Sequence, residues 1–181
     1  MANDILITGG NGQLGNALKQ YFPMADYVDL AEFNISDPEV YAAKDWSQYK
    51  AIINAAAYTN VDGAETPEGR AISWQANAVA LGLMAKAAQA HNLTVVHVSS
   101  DYVFDGTKVP HTEDEPFSPL SVYGASKAAG DIAIATTQKH YILRTSWVVG
   151  KGKNFVKTMK ELAEKGIKPN VVNDQLGRLT F

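Results

Sequence analysis

Tyr123 and Lys127 stand four positions apart in Tyr-Gly-Ala-Ser-Lys, and no other of the eight tyrosines has a lysine at that interval. On a helix, residues i and i+4 share a face, so both side chains can serve one site. Such a pair suits proton transfer. A tyrosine titrates near pH ~10, and acting as donor and acceptor near neutrality asks for a fall of about 3 units, roughly 4 kcal/mol. A neighbouring ammonium favours the phenolate and supplies much of that fall. Upstream, Ser99 and Ser100 close an apolar run. A hydroxyl there can hydrogen-bond a carbonyl oxygen as it becomes an alkoxide.

Gly9, Gly12 and Gly15 form a second constellation, G-x-x-G-x-x-G, directly after the first apolar run. Glycines let a backbone turn sharply and approach a pyrophosphate, and the following helix N-terminus offers free N–H groups. Asp29 follows 20 positions after Gly9. A carboxylate there accepts hydrogen bonds from both adenosine ribose hydroxyls and repels a 2′-phosphate, which favours NADH over NADPH.

These residues need elements to hold them. Short apolar runs predict strands at 4–8, 27–30, 51–55, 94–99, 141–145 and 170–173. Most are continuous rather than alternating, as in parallel strands covered on both faces. Helical patterns cover 13–21, 38–43, 68–92, 122–137 and 154–165, the last stopped by Gly166. This alternation predicts an α/β fold, a doubly wound parallel sheet of the NAD(P)-binding Rossmann kind. The stretch 105–119, with three prolines and the acidic cluster Glu113-Asp114-Glu115, reads as a long functional loop after the fourth strand.

Composition excludes several other classes. The 181 residues are 46 % hydrophobic and 19 % charged, enough apolar content for a packed core rather than a disordered chain. Net charge is −3 without a dense Lys/Arg run, which argues against nucleic-acid binding. The absence of cysteine removes disulfides, thiolate metal sites and a cysteine nucleophile, and fits a cytoplasmic location. The first residues lack the basic start and apolar stretch of a signal peptide. The apolar-rich stretch 76–90 is broken by Asn77, Gly82, Lys86 and Gln89, so no membrane span is expected. The four histidines show no metal-ligand spacing and read as ordinary surface or half-buried residues.

The ordered set of glycine turn, strand-end serine and Tyr/Lys helix resembles the extended short-chain dehydrogenase/reductase family. The segments that carry the resemblance are Thr8 to Gly15, Asn34-Ile35-Ser36-Asp37, Asn54 to Thr59, Val61-Asp62, Glu65 and Asn77. Then come Ser99 to Gly106, Tyr123-Gly124 with Lys127, and Arg144 to Val148. The Asp101-Tyr102 pair is similar to the reductases of nucleotide-activated 4-keto sugars, because 4,6-dehydratases usually carry Asp-Glu there.

The resemblance implies NAD(P)H-dependent reduction of the C4 ketone of dTDP-4-dehydro-β-L-rhamnose to dTDP-L-rhamnose. It implies that Tyr123 protonates the C4 oxygen, that Lys127 lowers the Tyr123 pKa and holds the nicotinamide ribose, and that Ser100 orients the ketone. Gly9, Asn11, Gly12, Gln13 and Leu14 would wrap the pyrophosphate, and Asn34 and Ile35 would meet the adenine side. Ala55, Ala56 and Tyr58 would line the cofactor cleft. Tyr102 and Trp147 would face the sugar, with core packing an equal reading for Trp147. Some members carry a metal-ligating Glu two residues after the third glycine; here the residue is Ala17, so no metal is expected. The helices 68–92 and 122–137 are candidates for a homodimer interface. The sequence closes at 174–181 inside a segment similar to the lead-in to a C-terminal sugar-nucleotide lobe, most of which is expected to be missing. Two alternatives stay open: a cofactor-binding regulatory subunit of the same fold, and another sugar-nucleotide epimerase or dehydratase.

Overall fold

The first apolar run forms the strand β1 (Ile5–Thr8), with Leu6 and Ile7 wholly buried. In the computed structural model, which describes residues 3–152, 154–175 and 177–181, four parallel strands join it. They are β2 (Asp26–Val28), β3 (Ala51–Asn54), β4 (Thr94–Ser100) and β5 (His140–Thr145), in the order β2-β1-β3-β4-β5. The opening Met1-Ala2 and Leu176 of the closing motif lie outside the described residues. Leu6 pairs with Ile52 and Ile52 with Val95, so one apolar layer crosses three strands.

The chain leaves β1 toward β2 on one side and returns to β3 on the other. That reversal opens a crevice beyond the carboxyl ends of β1 and β3, where ligands of doubly wound sheets bind. The helices are α1 (Gln13–Leu18), α2 (Pro38–Ala43), α3 (Pro67–Trp74), α4 (Ala80–Ala90), α5 (Val122–Ala135) and α6 (Phe155–Glu164), the last with no buried residue. Leu81, Met84, Ala85 and Ala88 of α4 and Ile134 of α5 pack on Leu6, Ile52 and Val95. The aromatic residues Phe33, Tyr41, Trp46 and Tyr49 complete this core.

Polar side chains start the helices as capping chemistry requires. Asp37 accepts from Glu39 N–H, Thr66 from Gly69 N–H, Ser121 from Gly124 N–H and Asn154 from Lys157 N–H. The helix expected over 122–137 ends at Ala135, because the hydroxyls of Thr136 and Thr137 donate back to Ala133 and Ile134 carbonyls. The helix expected over 13–21 ends at Leu18, with turns leading to Pro23.

Two expectations fail. The stretch 68–92 is a continuous helical path, but α3 and α4 are joined by a π turn, Gln75–Val79. No strand forms at 170–173: Val171 and Val172 are largely exposed, with no neighbouring strand to complete a ladder. Instead β6 (Trp147–Val148) and β7 (Leu179–Thr180) form a separate parallel pair. Among the described residues, no helix is long and apolar enough to cross a membrane.

Candidate active site

The glycine turn is tight because the backbone itself fills it. Gly9 has φ +72°, and a Cβ there would lie 2.7 Å from Ala56 N and 2.8 Å from Ala55 C. A Cβ on Gly15 would run into the Gly9 carbonyl oxygen. Gly12 N–H donates to the Gly9 carbonyl at 3.0 Å, and Gly12 caps α1 without any side-chain hydrogen bond. Unpaired amides at such a terminus suit an anion.

Asp29 lies just beyond β2 and braces the turn. Its Oδ2 accepts from Asn11 N–H and its Oδ1 from Leu30 N–H, both at 2.8 Å. Gln13 reaches across to donate from Nε2 to the Val148 carbonyl at 3.3 Å, while its buried Oε1 has no partner among the described residues. Leu14 is half-buried on the first turn of α1.

Ala55, Ala56 and Tyr58 follow β3 on the other side of the crevice, with all three half-buried. Asn77, on the π turn, clamps Tyr58: its Oδ1 accepts from Tyr58 N–H at 2.9 Å and its Nδ2 donates to Tyr58 C=O at 3.0 Å. The same Nδ2 lies 3.1 Å from Ser126 Oγ on α5. Asn34 is exposed and accepts from Ser36 N–H, whereas Ile35 belongs to the buried core.

The catalytic candidates converge at the carboxyl end of β4. Ser100 is its last residue, and its Oγ accepts from Tyr102 N–H and donates to Asp101 Oδ1, each at 3.2 Å. Tyr123 sits in the first turn of α5, almost wholly buried, with its ring edge-on to Tyr102 at 5.8 Å. Gly124 allows that approach, since a Cβ there would meet the Tyr102 carbonyl. Glu65 Oε1 accepts from Val122 N–H at 2.8 Å and so helps fix the start of α5. Trp147 lies two residues beyond Thr145, the register partner of Ser100, with its ring tilted against Phe155 at 5.2 Å.

Lys127 is 2 % exposed. Its ammonium donates to the Val98 carbonyl at 2.9 Å and lies 3.4 Å from His97 Nε2. Burial pulls its pKa down to about 8, with Asp131 opposing. Burial also raises the Tyr123 pKa, and the group that works against this is the Ser100 hydroxyl. Lys127 is not among the groups that lower the Tyr123 pKa. Both side chains share the helix face, but desolvation dominates and the ammonium is engaged at the Val98 carbonyl.

His97 is also corrected. Instead of lying at the surface it is wholly buried, with Nδ1 2.9 Å from Asn54 Nδ2. Asn54 Oδ1 in turn accepts from the Thr8 hydroxyl at 2.6 Å. With Asp131 and Arg144, His97 forms a polar cluster behind Lys127 that sequence reasoning missed. The available signals were the inward position of His97 in Thr-Val-Val-His-Val-Ser-Ser and the i+4 spacing of Asp131 from Lys127.

Residues 3–181 match the family model described as RmlD substrate binding domain. A dTDP-4-dehydrorhamnose reductase of Aggregatibacter actinomycetemcomitans is 43 % identical over 188 residues, covering 98 % of this chain and 63 % of that protein. One of Burkholderia thailandensis is 40 % identical, covering 98 % of this chain and 61 % of that protein. Among solved structures, a dTDP-4-dehydrorhamnose reductase of Bacillus anthracis in complex with NADP superimposes with a TM-score of 0.81 at 35 % identity, covering 91 % of this chain and 61 % of that one. The chain thus spans about three fifths of the length of these relatives.

Proposed function

The chain belongs to the RmlD substrate binding domain family, and from that premise we propose that it is the dinucleotide-binding catalytic core of an NAD(P)H-dependent reductase of dTDP-4-dehydro-β-L-rhamnose. The observation that carries this reading is the convergence of Ser100, Tyr123 and Lys127 at the carboxyl end of β4. That is the end of the sheet at which the Gly9–Gly15 turn opens its crevice.

The residues fit a dinucleotide. A Cβ would close the cradle at Gly9 and Gly15, and the buried Oε1 of Gln13 lacks a partner among the described residues. Gly9, Asn11, Gly12, Gln13 and Leu14 would hold the pyrophosphate, and Asp29 the adenosine ribose. Asn34 and Ile35 would flank the adenine, and Ala55, Ala56 and Tyr58 the nicotinamide half. When bound, the reduced nicotinamide supplies the hydride to the C4 carbon of the sugar. Ser100 donates a hydrogen bond to the ketone oxygen, and Tyr123 Oη transfers its proton to that oxygen as the alkoxide develops. Lys127 would hold the nicotinamide ribose, and its ammonium would favour the Tyr123 phenolate. Tyr102 and Trp147 flank the sugar.

The Asp29 carboxylate supports NADH over NADPH by repelling a 2′-phosphate. Most of the sugar-nucleotide lobe is assigned to the part of the relatives' length that these residues do not match. Exposed Ile72, Val79 and Ile132 on α3, the π turn and α5 support a homodimer through these helices. The test is oxidation of NADH or NADPH, followed by absorbance, on adding dTDP-4-dehydrorhamnose to a chain that also carries the relatives' remaining length. A protein that is folded and binds dinucleotide yet oxidises none would sink the reading.

A further inference from the structure

Behind Lys127, on the side away from Tyr102, lies a buried cluster of charged and titratable groups contributed by three elements. His97 comes from β4, Asp131 from α5 and Arg144 from β5. The side chains of His97 and Asp131 are wholly buried, with Nε2 3.6 Å from Oδ1. Arg144 Nε pairs with the other carboxylate oxygen at 3.1 Å. The Oδ1 atom of Asp131 has no hydrogen-bond partner among the described residues. Tyr123 lies one turn before Lys127 on the same helix.

A buried ammonium loses its proton unless an anion compensates for the lost hydration. His97 cannot do this. Burial and Lys127 hold its pKa well below the usual value, so the imidazole is neutral. In this cluster Asp131 alone can be an anion. Burial raises the Asp131 pKa, and the Ser99 hydroxyl from β4, Arg144 and Lys127 oppose that by favouring its ionised form. Arg144 is itself fixed: Nη1 donates to the Glu113 carbonyl at 3.2 Å, and the guanidinium lies 5.2 Å from the Phe104 ring centroid and 5.0 Å from that of Phe117.

We propose that Asp131 is a positioning residue for the reductase: its carboxylate, anchored by Arg144 and walled by His97, keeps the Lys127 ammonium charged in its buried seat. The catalytic value of this rests on the reductase reading, because only a charged Lys127 can hold the ribose and favour the Tyr123 phenolate. The anchor also ties that seat to the 105–119 loop, through the Arg144 contacts with Glu113 and Phe117.

The test follows Lys127 directly, by ¹³C NMR titration of labelled lysine side chains in the 181-residue chain. Asp131→Asn is expected to lower the Lys127 midpoint by about one pH unit or more. Asp131→Glu, which restores the charge, is expected to return it toward the wild-type value. Should Asp131→Asn not fold, the wild-type Asp131 ¹³Cγ signal must itself show an inflection at the Lys127 midpoint. An unmoved midpoint in the folded Asn variant, or no such inflection, overturns the proposal. In a catalytically complete chain, Asp131→Asn is expected to lose turnover increasingly as pH rises above 7, roughly fivefold at pH 8. A loss equal at every pH would mark a merely structural role and also overturn it. If no protein oxidises NADH or NADPH while the titrations behave as expected, the reductase reading falls and the Asp131–Lys127 coupling stands.

Discussion

At the scale of single residues, the proposed chemistry rests on the Tyr123 hydroxyl as proton donor. Tyr123→Phe removes that hydroxyl and leaves the ring, so the contact with Tyr102 and the start of α5 survive. Dinucleotide affinity, measured by fluorescence titration, is expected to change less than about threefold, while turnover falls by roughly 10³ or more. Surviving turnover would remove Tyr123 from the mechanism. Burial raises the Tyr123 pKa. The proposed mechanism therefore asks Lys127, one turn further along α5, to supply the opposing charge.

At the scale of elements, two close approaches position the site. The first is between the Gly9 carbonyl and α1. Gly15→Ala puts a Cβ against that carbonyl, which is backbone and cannot rotate away. A loss of about 1–3 kcal/mol in urea unfolding is expected, together with weakened NADH binding. Unchanged affinity would mean that the turn does not form the cradle. The second is the π turn that carries Asn77 toward the sheet, an irregularity often found at functional sites. Asn77→Ala leaves the Tyr58 N–H and C=O without their partner amide. The expected cost is about 2 kcal/mol or more, with a rise in the dinucleotide dissociation constant. A variant as stable as the parent would show that water replaces the amide without loss.

At the scale of the whole molecule, the buried titratable groups set how stability follows pH. His97 is held neutral below its ordinary pKa of 6.5, so the unfolded chain binds its proton first and stability falls as pH drops below that value. Lys127, lowered to about 8 from 10.5, is less protonated when folded, so stability rises with pH across that window. Burial raises the pKa of Tyr41 and pushes that of Tyr49 up to about 12, from 10.0. The unfolded chain ionises these first, so stability falls above pH 10.0. Urea midpoints measured from pH 5 to 11 are expected to climb from the acid side, peak between about 8 and 10, then drop. Lys127→Met is expected to flatten the climb above pH 8. If it leaves that climb intact, Lys127 does not titrate in the folded chain as described.

The sequence by itself determined the features written in short-range signals. The glycine turn, the Tyr123/Lys127 pair and the five strands of the main sheet follow from backbone freedom, helical spacing and apolar runs, with ends misplaced by a few residues. The strand expected at 170–173 failed because an apolar pair makes a strand only when a neighbour supplies the ladder. Tertiary structure alone decided what lies beneath Lys127. The alternation of β4 can point His97 inward, but it becomes a buried neighbour of Lys127 only because α5 is laid across β4, 30 positions later. Asp131 becomes more than a helix carboxylate only when Arg144, 13 positions on, meets it from β5. Burial and charge pairing depend on what packing brings together from distant parts of the chain, and no local spacing records that.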